Sequence, residues 1–199
     1  MPEITTAPAT ADRWADVVAA MTGGGDGGSC WCRWFHSTSS EWRSETSEQR
    51  RAALEREVAA GPARGLVAYV DGAVAGWVRV APRVEQGRLR RSRIPKASPA
   101  PMADPAVWAI TCFQVRREHR GQGVVRRLVA DAVEFAEANG AVSVEAYPID
   151  TSVAATSDND LYHGPASAFL ANGFTEAARP APARPVLVRD LSGAGPGER

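Results

Sequence analysis

Arginines and glycines are concentrated in one short segment past the middle of the chain, from Arg116 to Arg127. Within it, Gly121 and Gly123 stand directly before a long stretch with helical periodicity. Glycine lets the backbone approach a ligand closely, and the first N–H groups of a helix have no partner inside that helix. Together with the helix dipole, such N–H groups bind phosphate or pyrophosphate. The segment therefore predicts an anion site; the alternative is an ordinary turn flanked by exposed arginines.

Two other phosphate-binding motifs fit this segment less well. The Rossmann fingerprint needs three glycines, and a P-loop needs Gly-Lys followed by Ser or Thr. The segment between Arg120 and Val124 has two glycines and no lysine. Gly23 to Gly28 is nearly all glycine but also lacks the lysine, and we expect a flexible loop there.

The elements around the segment predict a mixed α/β fold built on one sheet. Helices are predicted from apolar periodicity and end signals at Asp12 to Met21, Ser47 to Ala60, Gly121 to Asn139 and Pro165 to Ala171. Strands are predicted around Ile4 and at Gly65 to Val70, Ala73 to Val80, Ala106 to Val115, Val142 to Tyr147, Phe174 to Ala178 and Pro185 to Asp190. We expect one domain over residues 1–191 and a disordered tail over residues 192–199.

A long basic segment runs from Arg83 to Pro105. A segment of this length without clear periodicity is uncommon in a compact domain unless it is functional or disordered. Two interpretations stay open: a solvated basic loop, or a lid or wall of a substrate site.

Composition limits the classes of partner. Lys and Arg number 23, as do Asp and Glu, so we expect no nucleic-acid partner and no membrane partner. No apolar run approaches the roughly 20 residues of a membrane span, and Met1 to Thr10 does not resemble a secretory signal. The odd, small number of cysteines fits a reducing compartment, and we predict a cytoplasmic protein.

Cys30 and Cys32 are spaced more closely than the Cys-x-x-Cys pairs of structural zinc sites, and no second pair follows. We therefore predict no metal and interpret these cysteines as buried beside Trp31, Trp34 and Phe35. This aromatic cluster is expected to shape a substrate pocket or the core beneath it.

The pattern Val115-x-x-x-x-Arg120-Gly121-x-Gly123-Val124 resembles the acyl-CoA-binding motif of the GNAT superfamily of N-acyltransferases. Phe169-Leu170-Ala171-Asn172-Gly173-Phe174 is similar to the helix of that family that ends in Gly-Phe. Cys30 to Phe35, with Arg88 to Arg93, resembles an actinobacterial-type subgroup. The resemblance implies a GNAT-like, mostly antiparallel central sheet with helices on both faces and a splayed central strand pair.

The same resemblance implies acetyl-CoA as co-substrate and direct transfer of its acetyl group to a primary amine. The acceptor would be a small molecule or a peptide, and dimers are common in the superfamily, so a homodimer is possible. The runner-up function is a non-catalytic acyl-CoA-binding or sensing module. The residues implied to bind the co-substrate are Phe113, Val115, Arg120, Gly121, Gln122, Gly123, Val124, Val125 and Arg126.

The chemistry requires an acid for the departing thiolate and a way to remove the proton of the amine. Phe169 stands where the family often has a tyrosine, and it has no proton to give. Our candidate acid is Tyr162, because it precedes the helix that is expected to wall the thioester site. Its alternative is a tyrosine that only packs. Glu145 is our candidate base; its alternative is a surface carboxylate. Tyr147 and His163 are reserves, and in this superfamily a water chain can replace a dedicated base.

Overall fold

The computed structural model describes residues 2–153, 155–157 and 160–193. Residues 194–199 of the tail that we predict to be disordered lie outside the described residues. The strands are β1 (Ile4–Pro8), β2 (Gly65–Val70), β3 (Ala73–Pro82), β4 (Val107–Val115), β5 (Ser143–Ala146), β6 (Thr175–Ala181) and β7 (Arg184–Asp190). The α-helices are α1 (Trp14–Thr22), α2 (Gly27–Cys30), α3 (Ser39–Ser44), α4 (Ser47–Ala60), α5 (Val124–Ala138) and α6 (Ala166–Leu170). Short 3₁₀ turns lie at Ala11–Arg13, Arg83–Glu85, Leu89–Arg91, Pro95–Ala97, Arg117–His119 and Asp160–His163.

The strands form one seven-stranded sheet in the order β1-β2-β3-β4-β5-β7-β6. The neighbours pair antiparallel except β4 and β5, which are parallel. Pairing between these two ends at Ile110 and Ala146, whereas β4 runs on to Val115. The central strands therefore separate and leave a gap beside the end of β4, as the family resemblance implies.

Helices cover both faces of the sheet because each has an apolar stripe to bury. On one face, Leu128, Val129 and Ala132 of α5 are fully buried against the sheet. On the other face, α1 and α4 bury residues such as Met21 and Leu54. Burying a side chain of this size stabilises the fold by about 1.5–3 kcal/mol. The predicted mixed α/β architecture is confirmed.

The glycine-rich segment after α1 is packed more closely than the predicted flexible loop. Gly27–Cys30 is a helical turn, which corrects that prediction. A Cβ atom on Gly23 would lie 2.2 Å from Cγ of Arg116, and one on Gly27 would lie 2.4 Å from the carbonyl oxygen of Met21. These two glycines therefore allow the segment to approach its neighbours, including the end of β4.

The basic segment from Arg83 to Pro105 is folded onto the sheet rather than solvated along its length. It contains three 3₁₀ turns, and Arg83, Leu89 and Pro95 are buried. Between these anchors, Arg88 and Arg91 reach a cavity. The structure thus favours the second of the two interpretations, a wall of a site. In the described ranges, no helix combines the length and apolarity needed to cross a membrane.

Candidate functional site

The turn between β4 and α5 presents a row of backbone donors. Gly121 has φ 74° and Gly123 has φ 88°, a conformation that L side chains rarely adopt. Helix α5 consequently begins at Val124, three residues later than predicted. Within the described part of the chain, the N–H groups from Gly121 to Arg126 donate no hydrogen bond. A Cβ on either glycine would meet nothing within 4 Å, so the space above the turn is open.

The last residues of β4 direct a second set of backbone groups into the gap. The N–H of Arg116 donates to the carbonyl of Ala75 on β3 at 2.9 Å. Successive N–H groups of a strand point to opposite edges, so those of Phe113 and Val115 point away from β3 and toward the separated β5. The carbonyl of Val115 accepts a bond from Nε of Arg120 at 3.4 Å. Phe113 and Val115 are therefore oriented as the family resemblance implies.

A cleft of about 700 Å³ lies over these two sets of donors. Its walls come from the N-terminal segment, including Asp26, Ser29, Trp34 and Phe35, and from the turn that holds Tyr162. The co-substrate residues implied by the sequence that line the cleft are Phe113, Val115, Arg120, Gly121, Gly123, Val124, Val125 and Arg126.

Gln122 is the one implied co-substrate residue whose side chain is directed elsewhere. It does not line the cleft, and its amide donates to the carbonyl of Glu118 at 3.0 Å. Any contact of Gln122 with a ligand there would come from its backbone N–H.

The cleft fits a ligand with a pyrophosphate and a long arm. Unsatisfied N–H groups at a helix N-terminus attract an anion, and the edge of a separated strand pairs with an extended chain of amides.

A family model described as the acetyltransferase (GNAT) family matches residues 31–162, more than half of the chain. The chain belongs to the GNAT acetyltransferase family. The matched range includes the whole turn from Gly121 to Gly123 and ends at Tyr162.

Solved GNAT structures share the fold at low sequence identity. YncA from Salmonella typhimurium, solved with its cofactor acetyl-CoA, is 16% identical, with 98% of each chain covered and a TM-score of 0.53. The PaiA N-acetyltransferase from Thermoplasma acidophilum, in complex with coenzyme A, is 11% identical, with 94% of this chain and 99% of that chain covered and a TM-score of 0.51. An N-acetyltransferase from Staphylococcus aureus Mu50 is 14% identical, with 95% and 99% covered and a TM-score of 0.52. No curated protein matches the chain at a significant level.

Tyr162 is placed in the cleft of this GNAT domain, where the prediction of a general acid needs it. The residue is half-buried in the turn Asp160–His163 and packs against Phe35, with ring centroids 6.3 Å apart. Burial raises the pKa of its phenol, which keeps the proton available for donation. Among the described residues its hydroxyl has no hydrogen-bond partner. The catalytic role itself stays a prediction.

Glu145 is not where a base for the cleft would be, and its environment differs from both sequence interpretations. It is fully buried and accepts a hydrogen bond from Nη1 of Arg83 at 2.8 Å, forming an ion pair in which both side chains are 0% exposed. Tyr147 donates its hydroxyl to the same carboxylate at 2.6 Å, and Ser98 also donates to it. Glu145 does not line the cleft. Its carboxylate is held by three donors, which assigns it a structural role.

Tyr147 and His163, the reserve candidates for proton transfer, lie outside the cleft, and Phe169 is part of the core. Tyr147 is buried with its hydroxyl on Glu145, so it does not reach the cleft. Phe169 is 0% exposed and packs edge-on against Phe113 at 5.9 Å, so the helix position of the family tyrosine is part of the core here. His163 lines a second cavity, and burial together with the charge of Arg184 lowers its pKa to about 3. An imidazole with that pKa is too weak a base for an ammonium ion.

The cysteines are free thiols near the cleft. Cys32 and Cys112 are buried and Cys30 is partly exposed. Burial acts to raise the pKa of Cys32, but the hydrogen bonds and charge around it prevail and lower this pKa to about 6. The donors are the Cys112 thiol, the Arg79 guanidinium at 3.3 Å and the Trp77 indole at 3.4 Å. In the described part of the chain, no group of three or more His, Cys, Asp or Glu side chains could hold a metal ion.

Sequence reasoning missed the contribution of the N-terminal segment to the cleft. Asp26 and Ser29 line it, although the glycines around them suggested only a loop. Trp34 and Phe35 line it too, in agreement with the expectation that the aromatic cluster shapes a pocket, whereas Trp31 lies in the core. The only local signal for this wall was the density of large aromatic residues.

Proposed function

We propose that the chain is an N-acetyltransferase that transfers the acetyl group of acetyl-CoA to a primary amine by direct attack in a ternary complex. The observation that carries the proposal is the row of backbone N–H groups from Gly121 to Arg126, which lies open at the mouth of the cleft. These groups would hold the pyrophosphate, and the exposed N–H groups of Phe113 and Val115 would bind the pantetheine arm. Solved relatives with acetyl-CoA or coenzyme A support the choice of co-substrate.

The thioester of acetyl-CoA supplies an activated carbonyl carbon, and this chain supplies the groups around it. A backbone N–H near Val115 donates toward the carbonyl oxygen and stabilises the negative charge that develops there. The amine nitrogen forms the new C–N bond as the C–S bond breaks. The Tyr162 hydroxyl gives its proton to the departing sulfur.

The proton lost by the amine leaves through water in the open cleft. Glu145 cannot take it directly, because its carboxylate is buried against Arg83 outside the cleft. Asp26 and Asp160 line the cleft and could relay the proton to solvent. The acceptor is a small molecule or a peptide with a free amine.

A second candidate function, a non-catalytic acyl-CoA sensor, is favoured by one observation. The helix position where the family often has a tyrosine holds Phe169, which is buried and has no proton to give. This candidate predicts saturable binding of acetyl-CoA without turnover.

The test is release of free CoA from acetyl-CoA in the presence of a panel of primary amines, measured with a thiol reagent. The proposal expects at least one amine to give saturable turnover well above the rate of hydrolysis without amine. Acetyl-CoA binding with no turnover across amino acids, polyamines, aromatic amines and peptides would favour the sensor instead.

A further inference from the structure

A second cavity, of about 440 Å³, adjoins the cleft. Trp34, Phe35 and Tyr162 line both, so these three side chains form the partition between them. A group in the second cavity would therefore lie next to the candidate acid.

The charged side chains that line the second cavity, among the described residues, are all positive. Arg88, Arg91 and Arg184 contribute three guanidinium groups, and no Asp or Glu is among the described residues that line it. None of the three forms an ion pair with a carboxylate in the described ranges. Elsewhere the buried arginines are paired, as Arg79 is with Glu57 at 2.6 Å and Arg83 with Glu145 at 2.8 Å.

Two of these guanidinium groups are held in place by neutral partners. Arg88 lies over the Trp34 ring with its Cζ 3.7 Å from the centroid, and its Nη2 donates to the carbonyl of Ser37 at 3.2 Å. Arg184 donates from Nη2 to the carbonyl of Tyr147 at 3.1 Å. Their Nε atoms are buried without a hydrogen-bond partner in the described part of the chain. Guanidinium groups fixed in this way keep donors for a ligand and carry charge that nothing in the cavity wall balances.

A buried histidine completes the polar lining. His163 is 8% exposed, and its Nδ1 has no hydrogen-bond partner among the described residues. Arg91 is partly balanced from outside the cavity, since its charge acts on Glu41, whose carboxylate accepts from the N–H of Thr38 at 2.7 Å. Arg88 and Arg184 are therefore the two cavity cations whose charge is least balanced by the described residues. Both guanidinium groups are partly buried, and a bound anion would balance the positive charge that they bring to the cavity.

We propose that the second cavity holds the acceptor and selects an amine whose molecule also bears an anionic oxygen group, a carboxylate or a phosphoryl group. This inference rests on the proposed function. The anionic group binds Arg88 and Arg184, the body of the acceptor packs on Trp34, and the amine reaches past Tyr162 into the cleft. The substrate class is a small amino acid or aminophosphonate rather than a polyamine or a simple aromatic amine.

The test compares acceptors that differ only in the anionic group. Amino acids, the carboxamides of the same amino acids and the corresponding aminophosphonates are assayed by CoA release. Hydrogen bonds to charged groups predict kcat/KM about 10- to 100-fold higher for the carboxylate than for the carboxamide. The phosphonate series shows which of the two anionic groups the cavity prefers. Equal kcat/KM for the carboxamide, the carboxylate and the phosphonate would overturn the inference.

The variants are Arg184→Gln and Arg88→Gln, with Arg90→Gln as the matched control, because Arg90 is exposed on the same segment and does not line the cavity. Each cavity variant is expected to raise KM for the carboxylate at least tenfold and to leave KM for the carboxamide and the Kd for acetyl-CoA unchanged. Arg90→Gln is expected to change none of them. Equal loss for carboxylate and carboxamide would indicate a merely structural arginine and overturn the inference.

A binding experiment separates this inference from the proposed function. The N-acetyl derivative of each amino acid and of its carboxamide is titrated into the protein saturated with free CoA. Binding of the carboxylate that is lost in Arg184→Gln supports the anion site even if no amine is turned over, in which case the proposed function alone fails. Turnover of amines without any preference for an acceptor that bears a carboxylate or a phosphonate leaves the proposed function standing and refutes the anion site.

Discussion

The buried pair of Glu145 and Arg83 gives a prediction that separates a structural role of Glu145 from a catalytic one. Both side chains are 0% exposed and their charged atoms are 2.8 Å apart. Glu145→Gln removes the negative charge and leaves the Arg83 guanidinium buried without a counter-charge, which typically costs about 3–5 kcal/mol. For a domain of this size, 1 kcal/mol corresponds to about 2–4 °C in Tm. We therefore expect Tm to fall by roughly 6–20 °C.

The same substitution should leave catalysis almost unchanged in the protein that remains folded. Glu145 does not line the cleft, so kcat measured well below Tm should stay within about threefold of the wild type, because a lost general base would instead cost about 100-fold or more. The assay is thermal unfolding by circular dichroism together with CoA release across a range of pH. Glu176→Gln is the matched control, because Glu176 pairs with Arg179 at the surface, and its Tm should not measurably change.

The result that would refute this reasoning is the reverse pattern. If Glu145→Gln kept its Tm, lost kcat by about 100-fold or more and lost the acidic limb of its pH profile, Glu145 would be the base that the sequence suggested.

Three further predictions concern single groups. Tyr162→Phe should lower kcat by about 100-fold or more with Kd for acetyl-CoA unchanged, whereas Tyr69→Phe should not; equal kcat for the two variants would exclude Tyr162 as the acid. The pKa values of His36 and His163 are lowered to about 3, the former by burial and then by the charge of Arg79, so the unfolded chain binds protons that the folded chain does not. The free energy of unfolding should therefore fall as pH drops from about 6.5 toward 3, by up to about 1.4 kcal/mol per pH unit for each histidine. The free energy of unfolding is measured by urea titration at several pH values. If its dependence on pH were the same in His163→Gln as in the wild type, this prediction would be contradicted. As pH is raised, the ultraviolet absorbance of the Cys32 thiolate should appear with a midpoint near pH 6, and this transition should be missing in Cys32→Ser. Thiolate absorbance that appears only near the ordinary pKa of a cysteine would contradict this prediction.

Local signals in the sequence determined most of the fold. The helix Ser47–Ala60 and the strand Gly65–Val70 have the predicted bounds. A capping box begins this helix, with Thr46 accepting from the N–H of Gln49 and Gln49 accepting from the N–H of Thr46 at 2.8 Å. These features depend on neighbours within a few residues, which is the range over which periodicity and capping act.

The predictions that failed depend on contacts between distant residues. Tyr147, which donates to the Glu145 carboxylate, is two positions away in the sequence, but the cation paired with Glu145, Arg83, is 62 residues away. No local pattern records which distant cation will meet a carboxylate. The prediction of a flexible loop at Gly23 to Gly28 failed for the same reason. Its neighbour in the fold is Arg116, whose Cγ would lie 2.2 Å from a Cβ on Gly23, and Arg116 is far from these glycines in the sequence.

For the turn at Gly121 to Gly123, the sequence predicted an anion site but not the residue at which the helix begins. The motif indicated an anion site, and the structure shows open N–H groups there. The helix begins at Val124 rather than Gly121 because Gly121 and Gly123 both have positive φ. A residue with positive φ cannot be part of a right-handed helix, so the helix can start only after Gly123.

The most direct test of the account is isothermal titration with acetyl-CoA of the wild type, Gly123→Glu and Gly140→Glu. Gly123 and Gly140 lie at opposite ends of α5, with φ 88° and 87°, and neither would place a Cβ within 4 Å of another atom. The backbone strain of the two variants is therefore matched, and only Gly123→Glu places a carboxylate where the pyrophosphate should bind. We predict saturable binding by the wild type and by Gly140→Glu, and none by Gly123→Glu. Absence of binding by the wild type, or unchanged binding by Gly123→Glu, would contradict the account.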